Sequence, residues 1–349
     1  MNRRLPRGVP ASLAAALLFG AGTPFAKLLL EQASPWLLAA LLYLGSGLGL
    51  ALLRAMRRAP AVALPAGEGR WLAGAVLAGG VAAPVLLMLG LARMPASSAS
   101  LLLNAEGVFT ALLAWFVFRE NVDRRVAFGM LAIVAGGAVL SWPGRVEWSG
   151  WQPVLLVTAA CLAWAVDNNL TRKVSLADAT WLAMVKGLAA GGTNLVLALA
   201  LGAAWPAWPV LLGAGLVGFA SYGASLALFV VALRHLGTAR TGAYFSIAPF
   251  FGAVLAIALG DPLHTQLLVA GALMGVGVAL HLTERHAHWH AHEPLEHAHE
   301  HVHGAGDPHH EHPHNPPVPP GTRHAHAHRH EPIAHEHPHY PDAHHRHEH

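Results

Sequence analysis

Glu106 is the side chain in this sequence best placed to do chemistry. It lies about ten positions into an apolar run from 96 to 118, which at about 1.5 Å per helical residue puts a carboxyl near the middle of a hydrocarbon layer. A bare charge is costly there. The group therefore either takes up and releases a proton during a working cycle or serves as a structural carboxyl, protonated or paired with a neighbouring helix. Asn104, two residues earlier, and Ser246, its match in the second half of the chain, are candidate polar contacts beside it.

Asp167 and Lys186 lie at similar depth in two consecutive apolar runs joined by a short loop, which allows an ion pair. Such a pair either fastens two helices or contacts a substrate or gate. Asn168 adds polarity next to Asp167. Gly20, Thr23 and Lys27 share a helix face by their spacing of three and four, and Pro24 can kink the helix beside them. Lys27 either points inward or snorkels to the headgroups. Trp164, Tyr244 and Phe245 either line a pathway or pack as anchors.

A second chemistry begins at Thr283. Of the 26 histidines, 23 lie from there to the end, interleaved with Ala, Glu and Pro and without apolar periodicity, so residues 283–349 are expected to be a disordered tail. Repeated H-x-H units put imidazoles on one side of any extended stretch, where two or three can approach one ion. The candidate ligands are His286, His288, His290, His292, His297, His299, His301, His303, His324, His326, His328 and His330. Zn, Ni, Co or Cu would suit them, bound by the tail rather than required as a cofactor.

The elements that must position these groups are ten apolar runs, at about 9–30, 35–53, 71–91, 96–118, 126–142, 151–170, 179–201, 208–233, 241–259 and 263–282. Each is long enough to span a bilayer, and none alternates with period two, so helices are expected rather than a barrel. The first run is read as a span rather than a cleaved leader. With 54% apolar and 12% charged residues, a water-soluble fold is excluded. The net charge of +3 does not indicate a nucleic-acid binder, because the basic residues lie between apolar runs. Arg3, Arg4, Arg7, Arg54, Arg57, Arg58, Arg70, Arg119, Arg124, Arg125, Arg172, Lys173 and Arg234 fall on one side, which puts both termini in the cytoplasm.

The lone Cys161 rules out an intrachain disulfide or a Cys-based zinc site. G-x-S-x-G does not occur, and H-E-x-x-H occurs only within the His-rich tail, at 299–303, 310–314 and 335–339, and in none of the apolar runs, so an enzyme is not expected. Gly213 to Gly218 match G-x-G-x-x-G, but no strand precedes them, and close helix packing is the better reading. Gly45 with Gly49 and Gly271 with Gly275 are small-xxx-small pairs of the same kind.

The two halves correspond. Thr23, Lys27 and Ser34 to Leu37 precede Asn168, Arg172 and Ala179 to Leu182 by 145 positions, and Leu101 to Val108 precede Ala243 to Phe250 by 142. Five spans per half, an odd number, insert the second copy upside down relative to the first. Ser98 to Leu140, SASLLLNAEGVFTALLAWFVFRENVDRRVAFGMLAIVAGGAVL, and its counterpart from Ser246 to Leu263, SIAPFFGAVLAIALGDPL, resemble the EamA-type drug/metabolite transporters. The resemblance covers about residues 9 to 282. Pro249 keeps a proline usual in that family, whereas Gly107 replaces it in the first half.

The fold class expected is thus an all-α polytopic membrane protein with ten transmembrane helices as two inverted five-helix repeats, 1–145 and 146–282, plus the His-rich tail. The resemblance implies a secondary carrier of a metabolite or drug-like solute, outward across a bacterial inner membrane, driven by a proton or substrate gradient. Glu106 would be its coupling site and the tail a metal-binding regulator. Two alternatives stay open: a divalent-metal (Ni, Co, Zn) transporter, and a membrane-anchored metal buffer or sensor. Expected partners are a small-molecule substrate and the lipid bilayer, with a homodimer left open and no nucleic acid.

Overall fold

The structure, a computed structural model, describes residues 8–62, 64–65, 67–118, 124–141, 150–174, 177–232 and 244–282, and in the tail 287–291, 295–302, 323–330 and 334–338. Residues Met1–Glu284 form one compact unit and Arg285–His349 a second.

Each of the ten apolar runs is mainly helical in its described residues. The helices are α1 (Gly8–Leu29), α2 (Pro35–Met56), α3 (Gly69–Leu91), α4 (Ala96–Leu102), α5 (Ala105–Phe118), α6 (Arg124–Ser141), α7 (Trp151–Thr171), α8 (Ala179–Ala200), α9 (Trp208–Ala232), α10 (Ala248–Ala258) and α11 (Thr265–Leu282). Six of them, α1, α2, α3, α7, α8 and α9, are each long and apolar enough to cross a bilayer. Their outward positions carry exposed Leu17, Leu48, Leu52, Leu155, Val196 and Leu216, a surface suited to acyl chains rather than water.

Caps fix where helices begin. Ser34 Oγ accepts the Leu37 N–H at 3.3 Å and Pro35 occupies the first turn of α2, where its missing donor has no cost. Asp178 does the same for α8, accepting the Trp181 N–H at 2.8 Å. The Asp261 carboxylate accepts the Ser97 N–H at 2.7 Å in the first turn of α4.

Two helices change pitch without ending. Val76–Ala82 in α3 and Phe219–Ala224 in α9 are π-helical, an arrangement that displaces backbone carbonyls from the regular ladder. In α3 those carbonyls find side chains: Gly79 O accepts Tyr43 Oη at 2.8 Å and Trp164 Nε1 at 3.0 Å, and Gly80 O accepts Asn194 Nδ2 at 3.1 Å.

The run from 96 to 118 is not one helix. It breaks at Leu103–Asn104 between α4 and α5, and the same break recurs at Ser246–Ile247 ahead of α10, 143 residues later. Asn104 Nδ2 donates to Leu101 O at 2.9 Å, so a buried polar side chain takes up a carbonyl at the helix end.

Packing runs mostly between the halves: α2 lies against α8 and α9, α6 against α11, α3 and α5 against α7, and α1 against α9 and α10. Small residues permit it. Gly215 packs against Gly45 and Gly218 against Leu42, with no room for a Cβ at Gly45 or Gly218, so the G-x-G-x-x-G segment is a helix-packing surface. The largest buried cluster, including Leu38, Leu42, Met88, Leu91, Val157 and Cys161, joins α2, α3 and α7.

The described residues of the tail form four strands. Strands β1 (Ala287–Ala291) and β4 (Ala334–Pro338) pair antiparallel, as do β2 (Leu295–Val302) and β3 (Arg323–His330). The H-x-H alternation has a period of two, which matches the strand repeat.

Candidate functional site

The site is a cavity of about 270 Å³ inside the helical unit, lined by Phe19, Tyr43, Glu106, Trp164, Asn168, Ser221, Tyr222, Ser225, Leu226, Phe229 and Phe245. Phe19 and Tyr43 come from the middle of α1 and α2, and Glu106 from the first turn of α5 just past the helix break. Trp164 and Asn168 come from α7, and the rest from the π-segment of α9, the turn after it and the approach to α10.

Asn168 Nδ2 donates to Glu106 Oε1 at 2.8 Å, so the carboxyl and the amide foreseen separately in the sequence meet across two helices. Aromatic rings form the rest of the wall. Tyr43 and Tyr222 lie 5.5 Å apart by ring centroids, Tyr222 and Phe19 5.9 Å, Phe19 and Phe245 5.3 Å, and Phe245 and Phe229 4.9 Å. Edge-on and tilted contacts of this kind are the favourable ones between rings. The polar ends of Tyr43 and Trp164 are both held by Gly79 O, which leaves their rings to face the cavity contents.

Asp167 and Lys186 are brought together next to this wall. Lys186 Nζ lies 2.6 and 2.7 Å from the two carboxylate oxygens and 3.2 Å from Thr171 Oγ1, and Thr171 donates to Asp167 at 2.8 Å. Both charges are largely buried, so each depends on the other for compensation. A second ion pair closes the far end of α2, where Arg54 meets Asp178 at 2.7 Å and Thr180 Oγ1 at 2.9 Å. Burial works against the Asp178 carboxylate, but hydrogen bonds from Thr180 and the Trp181 amide and the Arg54 charge together hold it below its ordinary range.

Other candidates lie elsewhere. Lys27 Nζ donates to Leu91 O at 2.7 Å and Ala92 O at 3.3 Å, where a cation meets the carbonyl end of α3. Thr23 is buried within α1 outside the cavity lining. Asn104 and Ser246 mark the two helix breaks, and Tyr244 immediately precedes the lining residue Phe245. His286, His292 and His303 fall outside the described residues, and His288, His290, His297, His299, His301, His324, His326, His328 and His330 lie in tail strands. Among the described residues no group of three His, Cys, Asp or Glu side chains gathers in metal-binding fashion.

Sequence reasoning missed Phe19, Tyr43, Ser221, Tyr222, Ser225, Leu226 and Phe229. A signal was available for two of them. Tyr43 and Tyr222 sit at mid-span, whereas tyrosine in a membrane protein favours the interfaces.

Several long apolar helices around a partly polar internal cavity define a multi-pass membrane protein. Comparison with known proteins gives the family: the chain belongs to the EamA-like transporter family, which residues 6–142 match. It is 32% identical over 211 residues to an uncharacterized transporter of Methanothermobacter thermautotrophicus, covering 57% of this chain and 60% of that one. It is 36% identical over 85 residues to a probable amino-acid metabolite efflux pump of Salmonella typhimurium, covering 23% and 27% of the two chains. A third relative, 38% identical over 85 residues, is the probable 4-amino-4-deoxy-L-arabinose-phosphoundecaprenol flippase subunit ArnE of Pseudomonas fluorescens, with 24% of this chain and 74% of that one covered. The chain therefore spans less than two thirds of the length of the first two. One solved crystal structure superposes with a TM-score of 0.60 over 78% of this chain and 95% of that one, at 18% identity, a likeness of fold. The family is one of membrane transporters of small solutes rather than of enzymes.

Proposed function

We propose that the protein is a secondary carrier that exports a small metabolite or drug-like solute across a bacterial inner membrane, with Glu106 as the group that couples transport to a proton gradient. The cavity carries this reading. Its one lining carboxylate among the described residues, Glu106, meets Asn168 across the two halves of the chain, and an acid in a membrane interior is by default a functional group.

The working arrangement is alternating access between inverted repeats 1–145 and 146–282, with ten spans made by the six long helices, α4 with α5, α6, the segment ending in α10, and α11. Helix pairing supports a two-fold relation: α2 pairs with α8 and α6 with α11, while the packing of α3 on α7 is answered by that of α9 on α1. The recurring helix breaks and π-segments, each pair offset by 143 residues, support it as well. Both termini are then cytoplasmic, as the basic loops require.

The tail acts in this reading as a cytoplasmic metal-binding regulator for Zn, Ni, Co or Cu. Backbone register supports it, since His297 lies opposite His328, His299 opposite His326 and His301 opposite His324. Vesicles with an imposed pH gradient test the whole reading, using the intact protein, a chain lacking 283–349 and Glu106→Gln against amino acids, nucleosides, drugs and divalent metals. Organic solutes should move, the tail-deleted protein should keep basal flux, and Glu106→Gln should lose gradient-driven flux. Movement of divalent metals alone would replace this reading with a metal carrier, and loss of every phenotype on tail deletion with a membrane-anchored buffer.

A further inference from the structure

We infer that the cavity selects an organic cation, a protonated or quaternary amine with an apolar or aromatic body, and this inference rests on the carrier reading above. Six of the eleven lining side chains are aromatic and one is a carboxylate; none is Lys, Arg or His among the described residues. Five of the rings form a continuous chain of contacts from Tyr43 through Tyr222, Phe19 and Phe245 to Phe229.

A wall of this kind has one electrostatic preference. Ring faces carry negative quadrupole potential and attract a cation within about 6 Å, most strongly where water is excluded. Glu106, when it has released its proton, adds a negative charge to the same wall. Lys186 is nearby, but both Asp167 oxygens hold it, so it is not offered to a ligand.

An anionic solute would bring a second negative charge against Glu106. A zwitterionic amino acid would have to bury its carboxylate in the same cavity without a lining cation to receive it. A cation whose charge is spread over alkyl groups meets neither cost, and its loss of hydration is small enough for ring faces and one carboxylate to offset. Ser221 and Ser225 add hydroxyl oxygens that can accept, the Ser225 proton being given to Ala15 O, which suits an amine that carries a hydroxyl or N–H. The volume of about 270 Å³ admits a single-ring compound.

The test uses the full chain purified in detergent and titrated calorimetrically with benzyltrimethylammonium, benzyl alcohol, phenylalanine and benzoate. The cation should bind most tightly. Phe19→Leu should weaken its binding by about 3- to 30-fold while changing benzyl alcohol binding little, a split that a packing defect would not produce. Glu106→Gln should reduce cation binding and leave benzyl alcohol unaffected. Should either variant fail to elute as a single species, the four-ligand ranking on the unaltered protein decides alone. Phenylalanine or benzoate binding as tightly as the cation overturns the assignment. Vesicle flux with the same compounds separates this claim from the broader one: transport of neutral or zwitterionic solutes without cation binding sinks the cation assignment and keeps the carrier, whereas cation binding with no flux of any solute sinks the carrier and keeps the site.

Discussion

Asn168 Nδ2 donates to Glu106 Oε1 at 2.8 Å, tying the first turn of α5 to the cavity face of α7. A hydrogen bond to an ionised group contributes about 1.5–3 kcal/mol. Asn168→Leu removes the donor and keeps most of the volume, so gradient-driven flux in vesicles should fall about tenfold or more, in step with that free energy. Detergent-purified protein should keep its elution profile. Flux at the original rate would show the contact to be incidental.

The buried pair of Asp167 and Lys186 should behave asymmetrically. Lys186→Met leaves an uncompensated carboxylate and should cost about 3–5 kcal/mol, whereas Lys186→Met with Asp167→Asn should recover much of it. Thermal unfolding of the single and double variants in one detergent checks this. Equal losses would mean that water already solvates the pair.

Gly79 should not tolerate a side chain. A Cβ there would collide with the Asp167 carboxylate, while the Gly79 carbonyl must keep its position to accept Tyr43 and Trp164. Gly79→Ala should therefore cost about 1–3 kcal/mol. Gly192→Ala, with open space around its added methyl, should change stability by less than about 0.5 kcal/mol. Melting temperatures of the two variants give the comparison directly.

The Arg54–Asp178 contact should show a definite pH dependence. The Asp178 carboxylate is held below its ordinary value of 3.8 in the folded protein, so the folded state binds fewer protons than the unfolded state as acid is added. Its stabilisation is then complete above the unfolded value and disappears as pH falls through the folded one. The difference in melting temperature between the unaltered protein and Arg54→Gln should stay level from about pH 7 to 5 and shrink under stronger acid. A difference that grew on acidification would reverse the sign and exclude this account.

The sequence carried much of this architecture because the length of an apolar run is a strong signal. Apolar runs became helices, Glu106 could be singled out by its depth, and Asp167 with Lys186 by their equal depth. The break at Leu103–Asn104 was hidden because the run stays apolar through it, and one asparagine leaves no compositional mark. Lys27 was ambiguous for another reason: its partners are the Leu91 and Ala92 carbonyls, which exist only once α3 has ended beside α1. The aromatic wall needed a third dimension, since its rings come from five separate stretches of chain.

The π-segments of α3 and α9 have a geometric result beyond the carbonyls they release. Each wide turn absorbs about one surplus residue, so every position beyond it is rotated by roughly 100° from where an unbroken helical wheel would draw it. Ser225 and Phe229 thus reach the cavity wall from angular positions that an ideal wheel assigns elsewhere. Excising one residue from Phe219–Ala224 would turn the remainder of the rod like a key by roughly 100°, carrying Ser225 and Phe229 off the cavity wall without altering the side chains that remain.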